Sequence, residues 1–210
     1  CFNASLNKNQ RIYGLFSVAN REPTRSNFVD ADPMKAGPEH ETLLDYELGY
    51  QFISHSFSAG INGYFMDYNN QLVLTGEIND VGDPVMTNVK NSYRLGVEIT
   101  AAVKLRDIVS WNANLTLSQN KIKGMTEYVD NWDYWDGAGP YQYENYLETT
   151  DIAFSPSLIA GSKIDFKILK PLNISFLSKY VGNQYLDNTS SSERMLDAYF
   201  VNDLKINYGL

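Results

Sequence analysis

The stretch Gly124–Ala153 concentrates the side chains of this 210-residue chain that can do chemistry. It carries Glu127, Asp130, Asp133, Asp136, Glu144, Glu148 and Asp151, with no Lys or Arg. Interleaved with them are Tyr128, Trp132, Tyr134, Trp135, Tyr141, Tyr143 and Tyr146. Aromatic faces stack on sugars, macrocycles and chelates and attract cations, while neighbouring carboxylates accept hydrogen bonds. The candidate ligand-contact set is therefore Trp132, Tyr134, Trp135, Tyr141 and Tyr143 with Asp130, Asp133 and Asp136. Two other readings stay open. Carboxylates can hold Ca²⁺, which takes about six to eight oxygen ligands, although Asp130-x-x-Asp133-x-x-Asp136 lacks the EF-hand spacing and its terminal Glu. Alternatively, this is an acidic outer loop punctuated by Gly and Pro whose charge keeps a surface solvated.

Other clusters offer less. The stretch Arg21–Leu43 holds Arg21, Arg25, Asp30, Asp32, Lys35, His40 and Glu41. Pairs such as Arg21 with Glu22 or Arg25 with Asp32 would shape a mouth, each contributing about 0–1 kcal/mol. His40 can be read as a metal or haem ligand or as a solvated side chain, and His55 falls in a short turn. Cys1 and these histidines do not suggest a nucleophile pair, and there is no Gly-x-Ser-x-Gly elbow, His-Glu-x-x-His or Gly-rich phosphate loop. A glycosidase needs two carboxylates at a defined separation, which sequence alone does not establish. No catalytic residue, metal site or cofactor is assigned, and the chain is not expected to be an enzyme.

The formal net charge of −8 argues against nucleic-acid binding, which needs clustered Lys and Arg. One cysteine excludes an intrachain disulfide. Cys1 suits an acylated lipoprotein terminus, but no Ser/Gly-rich tether follows it, which favours a chain that simply begins there. No stretch has the layout of a signal peptide or the roughly 18 apolar residues of a transmembrane helix. Neither absence bears on a β-barrel, whose strands alternate and keep average hydropathy low.

The elements that must position these residues read as nine strands: Phe2–Leu6, Ile12–Asn20, Asp45–Ile53, Phe57–Asn69 with Leu72–Leu74 as an extension, Tyr93–Val103, Trp111–Lys123, Phe154–Ile168, Leu172–Leu186 and Ala198–Tyr208. Tyr93, Leu95, Val97, Ile99, Ala101 and Val103 alternate with Arg94, Gly96, Glu98, Thr100 and Ala102, so one face is apolar and the other polar. Short turns at Lys8–Gln10, Ser54–Ser56, Lys104–Asp107 and Leu169–Pro171 alternate with longer loops at Arg21–Leu43, Thr75–Lys90, Gly124–Ala153 and Asn188–Glu193. Pro23, Pro33, Gly37 and Pro38 interrupt the first of these. In an up-and-down sheet all short turns fall on one rim and all long loops on the other, the pattern of outer-membrane barrels. Tyr13, Tyr46, Tyr64, Tyr68, Tyr93, Trp111, Tyr180 and Tyr185 fall near strand ends, as in an aromatic girdle or in ordinary cross-strand packing. A secreted or surface β-sandwich binding glycans through its aromatic acidic loop is the alternative, though sandwich strands usually run shorter.

Six segments carry a family resemblance. RIYGLFSVANREPTRSN at Arg11–Asn27, Pro38-Glu39 followed by DYELGY at Asp45–Tyr50, and YFMDYNN at Tyr64–Asn70 resemble the barrel of TonB-dependent outer-membrane receptors. So do NVKNSYRLGVE at Asn88–Glu98, and YVGNQYLDN at Tyr180–Asn188 with AYFVNDLKINY at Ala198–Tyr208, the last pair as in Bacteroidetes-type members. The resemblance implies an all-β fold, with about nine antiparallel up-and-down strands of a larger 22-stranded transmembrane barrel in the bacterial outer membrane. It implies that residues 1–210 are part of the C-terminal half of that barrel, without the plug domain and final strands. The implied function is active transport, in which a scarce nutrient (iron chelate, haem, cobalamin or oligosaccharide) binds extracellular loops and passes a plugged lumen with TonB-supplied energy. Implied partners are outer-membrane lipid, the small-molecule nutrient, the TonB complex through an N-terminal region, and a surface lipoprotein cap.

Overall fold

Period-two alternation folds here as a single antiparallel sheet, seen in a computed structural model that describes residues 1–32, 35–79, 81–169 and 171–209. Pro33, Lys170 of the expected 169–171 turn, and Leu210 lie outside the described residues. The strands are β1 (Phe2–Ser5), β2 (Gln10–Arg21), β3 (Glu41–Ile53), β4 (Phe57–Ile78), β5 (Pro84–Leu105), β6 (Val109–Asp130), β7 (Gln142–Asp151), β8 (Leu158–Leu169), β9 (Leu172–Val181), β10 (Gln184–Tyr185), β11 (Met195–Leu196) and β12 (Tyr199–Tyr208). A six-residue helix, α1 (Arg25–Asp30), interrupts the expected first long loop. The sheet runs β1-β2-β3-β4-β5-β6-β8-β9-β12, with β7 paired to the upper half of β6. These nine path strands are the nine expected from sequence, in the same order. Apart from the small β10–β11 pair, no second sheet is present among the described residues, so nothing packs over the apolar face as a sandwich would require.

Register places whole rows on one face. Phe16, Tyr46, Phe65 and Leu95 pair successively across β2 to β5. Their neighbours in the wall include Leu48, Val97, Ile99 and Leu117, all exposed. The opposite face carries Glu47, Asn62, Arg94, Glu98, Thr116 and Ser118, which line a groove. An apolar outward face and a polar inward one invert the logic of a soluble sheet and match a wall between lipid and a wet lumen. Outward rings form a chain: Phe16–Tyr46 at 5.0 Å, Tyr46–Phe65 at 6.2 Å and Phe65–Tyr93 at 6.2 Å. Part of the expected girdle is corrected. Tyr13 and Tyr64 turn inward and lie over Gly49 and Gly96, because the missing Cβ leaves room for a ring there.

Two expected loops are largely strand. Residues 75–78 and 84–90 lie in β4 and β5, and between them Asn79 Oδ1 accepts from the backbone N–H groups of Val81 and Asp83. Residues 124–153 continue β6 and form β7. The expected seventh strand begins later, at Leu158, because Phe154 adopts φ 51° and Ser155 and Pro156 turn inward. Arg94 Nη1 donates to Ser155 Oγ at 2.9 Å and Ser118 Oγ donates to the Pro156 carbonyl at 3.1 Å, fixing that segment on the inner face. The expected eighth strand ends at Val181, not Leu186.

The upper hairpins form their own small core. Val73, Val89, Ile122, Met125 and Ile152 are buried together, with Leu147 packed on them. Inward parity changes as the strands leave the wall: Ser92 and Ile122 are inward at even positions, whereas Val73, Val89 and Met125 are inward at odd ones. Left-handed residues make the change. Asn70 (φ 57°) and Gly124 (φ 71°) both lie opposite Lys90, since Asn69 and Lys123 each pair with Asn91.

Candidate functional site

The apex of the β6–β7 hairpin is a built structure. After Asp130 the chain makes a 3₁₀ turn over Trp132–Asp136, closed by Gly137 at φ 82°. Buried Asn131 holds it: its Oδ1 accepts from the Asp133 N–H at 3.1 Å, and its Nδ2 donates to the carbonyls of Ala138 and Pro140, both at 2.7 Å. The turn projects Trp132 and Trp135 into solvent, 86% and 80% exposed. Tyr134 sits edge-on to Trp135 at 5.4 Å and to Tyr141 at 5.3 Å, so three of the five candidate aromatics form one cluster. Tyr143 lies on β7, its hydroxyl close to Gly139.

The three candidate aspartates are not brought together. Asp130 Oδ1 accepts from Gln142 Nε2 at 2.8 Å and so closes the base of the hairpin. Asp133 and Asp136 lie on the 3₁₀ turn above it. Among the described residues no three His, Cys, Asp or Glu side chains converge as a metal-binding group. His40 and His55 are both exposed.

A cleft of about 660 Å³ opens beside the apex, between the chain following α1 and the two long hairpins. Asp30, Lys35, Glu77, Tyr128, Tyr141 and Glu144 line it. Lys35 Nζ donates to Glu77 Oε1, and it lies 5.1 Å from the centre of the Tyr128 ring. That hydrogen bond holds the Lys35 ammonium above its usual range, while burial raises the Tyr128 phenol. Glu77 also accepts from Thr87 Oγ1 at 3.1 Å. Arg21 pairs with Glu41 at 2.9 Å, rather than with its neighbour Glu22.

Sequence reasoning missed Glu77, which sat in a presumed loop. The alternation Gln71, Val73, Thr75, Glu77 could have found it. It also missed Arg194, the single basic residue between Lys179 and Lys205. Arg194 Nη2 bonds Glu127 Oε1 at 2.6 Å and Thr189 Oγ1 at 3.1 Å, and Nε bonds Asp187 Oδ2 at 2.9 Å. The loop between β9 and β12 is thereby tied to the β6–β7 hairpin. Asn188 adds two ties, donating to the Leu74 carbonyl at 3.0 Å and accepting from the Ala153 N–H at 2.8 Å.

The arrangement can hold a ligand between aromatic faces and carboxylates on one rim of a wall whose inner face is polar. Residues 3–210 match the family model described as TonB dependent receptor-like, beta-barrel. No curated protein sequence matches. Among solved structures, the chain is similar to the ferric enterobactin receptor PfeA from Pseudomonas aeruginosa, at 17% identity and TM-score 0.67, over 99% of this chain and 32% of that one. The ferric yersiniabactin uptake receptor FyuA from Yersinia pestis aligns at 16% identity and TM-score 0.67, over 98% and 28%. The copper transporter OprC aligns at 14% identity and TM-score 0.70, over 98% and 30%. At these identities the likeness is one of fold, and the chain spans about a third of each. Family match, strand order and two-faced wall agree: this chain belongs to the TonB-dependent receptor-like β-barrel family.

Proposed function

We propose that this chain forms part of the wall of an outer-membrane active-transport receptor that captures a scarce nutrient on its extracellular hairpins. The nutrient then passes through a plugged lumen with energy supplied by the TonB complex, so the mechanism is binding and gated passage rather than bond chemistry. One observation carries the reading. The two long hairpins and the β9–β12 loop stand on one rim, with the aromatic apex and the cleft among them, above a polar inner face. The ligand is an iron chelate, haem, cobalamin or an oligosaccharide, contacted by Trp132, Trp135, Tyr134 and Tyr141. Similarity in fold to receptors for ferric chelates and to a copper transporter supports a metal-bearing cargo. The carboxylates of Asp30, Glu77 and Glu144 beside a single ammonium disfavour strongly anionic chelates. The remaining length, including a plug, belongs to the rest of the receptor.

The test uses the full-length receptor and a panel of ferric chelate, haem, cobalamin and oligosaccharide. One member should bind, and the triple variant W132A/W135A/Y141A should bind it at least about tenfold more weakly while remaining folded. Undiminished binding by that variant would remove the apex from the site.

A further inference from the structure

Lys90 on β5 and Lys123 on β6 lie side by side on the outward face of this acidic chain. Both are exposed, and among the described residues neither has a carboxylate within ion-pair distance. Lys121, the next outward residue down β6, is already paired with Asp151 at 2.7 Å. Lys123 pairs with Asn91 across the sheet, so Lys90 lies beside it in the next row. Both lysines line one groove of about 750 Å³ together with Asn88, Asn91, Gly124, Tyr146 and Thr149, and one carboxylate, Glu148, lines it as well.

The groove's position tells what it fits. Asn20, Thr42, Asn69, Asn91, Lys123 and Thr149 pair successively across six strands, making an unbroken polar row. Below it run the outward rings of Phe16, Tyr46, Phe65 and Tyr93, and below those the exposed wall of Leu48, Val97 and Leu117. Lys123 Nζ lies 5.5 Å from the centre of the Tyr93 ring, where the ring face favours a cation and limits its freedom. A molecule filling this surface has apolar chains against the wall and a negative group at the lysines. A free anion would use only the lysines. We propose that Lys90 and Lys123 bind the phosphate of an outer-leaflet lipid headgroup, whose acyl chains lie on the outward face of β4 to β6. The assignment rests on the reading that these strands span the outer membrane with the hairpins outside.

The experiment takes the full-length receptor in neutral detergent and measures binding of diphosphorylated lipid A and of its dephosphorylated counterpart by native mass spectrometry. The receptor should retain the diphosphorylated form, and K90Q/K123Q should bind it about tenfold or more weakly. K163Q, on the inner face, should bind as the parent does. Each variant is confirmed as folded by its heat-modifiable electrophoretic mobility. Equal binding by K90Q/K123Q, or equal binding of dephosphorylated lipid, would overturn the proposal. Displacement by inorganic phosphate would do so too, since it marks a free-anion site. These failures are distinct from failure of the topology, which would appear as a cysteine at Trp132 inaccessible on intact cells.

Discussion

Arg194 ties two parts of the upper rim together. Its guanidinium reaches Glu127 on β6 and Asp187 and Thr189 on its own loop, and the bond to Glu127 is the main reason its charge is held still more firmly than usual. Glu127 is 9% exposed, so removing the partner leaves a largely desolvated carboxylate. R194M should destabilise the loop locally by about 1–2 kcal/mol, a figure already reduced for the half-exposed guanidinium. R194K should recover only part, because an ammonium cannot span both carboxylates as the planar fork does. Hydrogen exchange across 182–198 would read the difference, and unchanged protection in R194M would contradict it. Lys35 holds the chain following α1 to Glu77 in the same way. Its pKa is raised above 10.5 by that hydrogen bond first, so the tether's contribution is fully present below the ordinary lysine range. It is lost as pH rises through the raised value. A spin label at exposed Val29 should therefore stay ordered at neutral pH and gain mobility in that alkaline window. Mobility that rises on acidification alone would point to a different tether.

At the scale of elements, legibility divided at the membrane boundary. The wall halves of β4, β5 and β6 read directly, because lipid on one side and water on the other enforce period two. The upper halves did not. Asn70 and Gly124 switch the inward parity there, and without lipid outside, Thr75, Glu77, Tyr128 and Glu144 mix polar and apolar character on both faces. The Gly82-Asp83-Pro84 and Gly137–Pro140 clusters did mark real turns, but of hairpins rather than of whole loops. Pro156 was a usable warning that the seventh strand could not begin at Phe154. The aromatic and acidic composition of the apex was equally plain, whereas its rigidity depends on Asn131, which carries no special signal in sequence. The two hairpins meet closely at Gly76, whose φ is 87° and where an added Cβ would lie 2.4 Å from the Tyr128 carbonyl oxygen. Gln142 bonds the same residue, donating to the Gly76 carbonyl at 2.9 Å. G76A should separate the hairpins at a cost of about 2 kcal/mol or more, the left-handed backbone alone accounting for about 1–2. Protease added to intact cells should then cut the apex faster than in the parent. An unchanged rate would show that the contact does not hold the hairpins.

For the whole molecule, the order of strands followed from connection lengths alone, since consecutive antiparallel strands pair with their neighbours when turns are short. The same order fixes which rim each connection occupies. The β5–β6 turn at Asp107 belongs to the short-turn rim, and Trp132 and Thr189 belong to the other. The central claim, that one rim faces the cell exterior, is tested most directly by labelling intact cells with a membrane-impermeant maleimide. The receptor carries the Cys1→Ser change and one new cysteine, W132C, T189C or D107C. W132C and T189C should label and D107C should label only after the cells are broken; equal labelling of all three on intact cells would contradict the account.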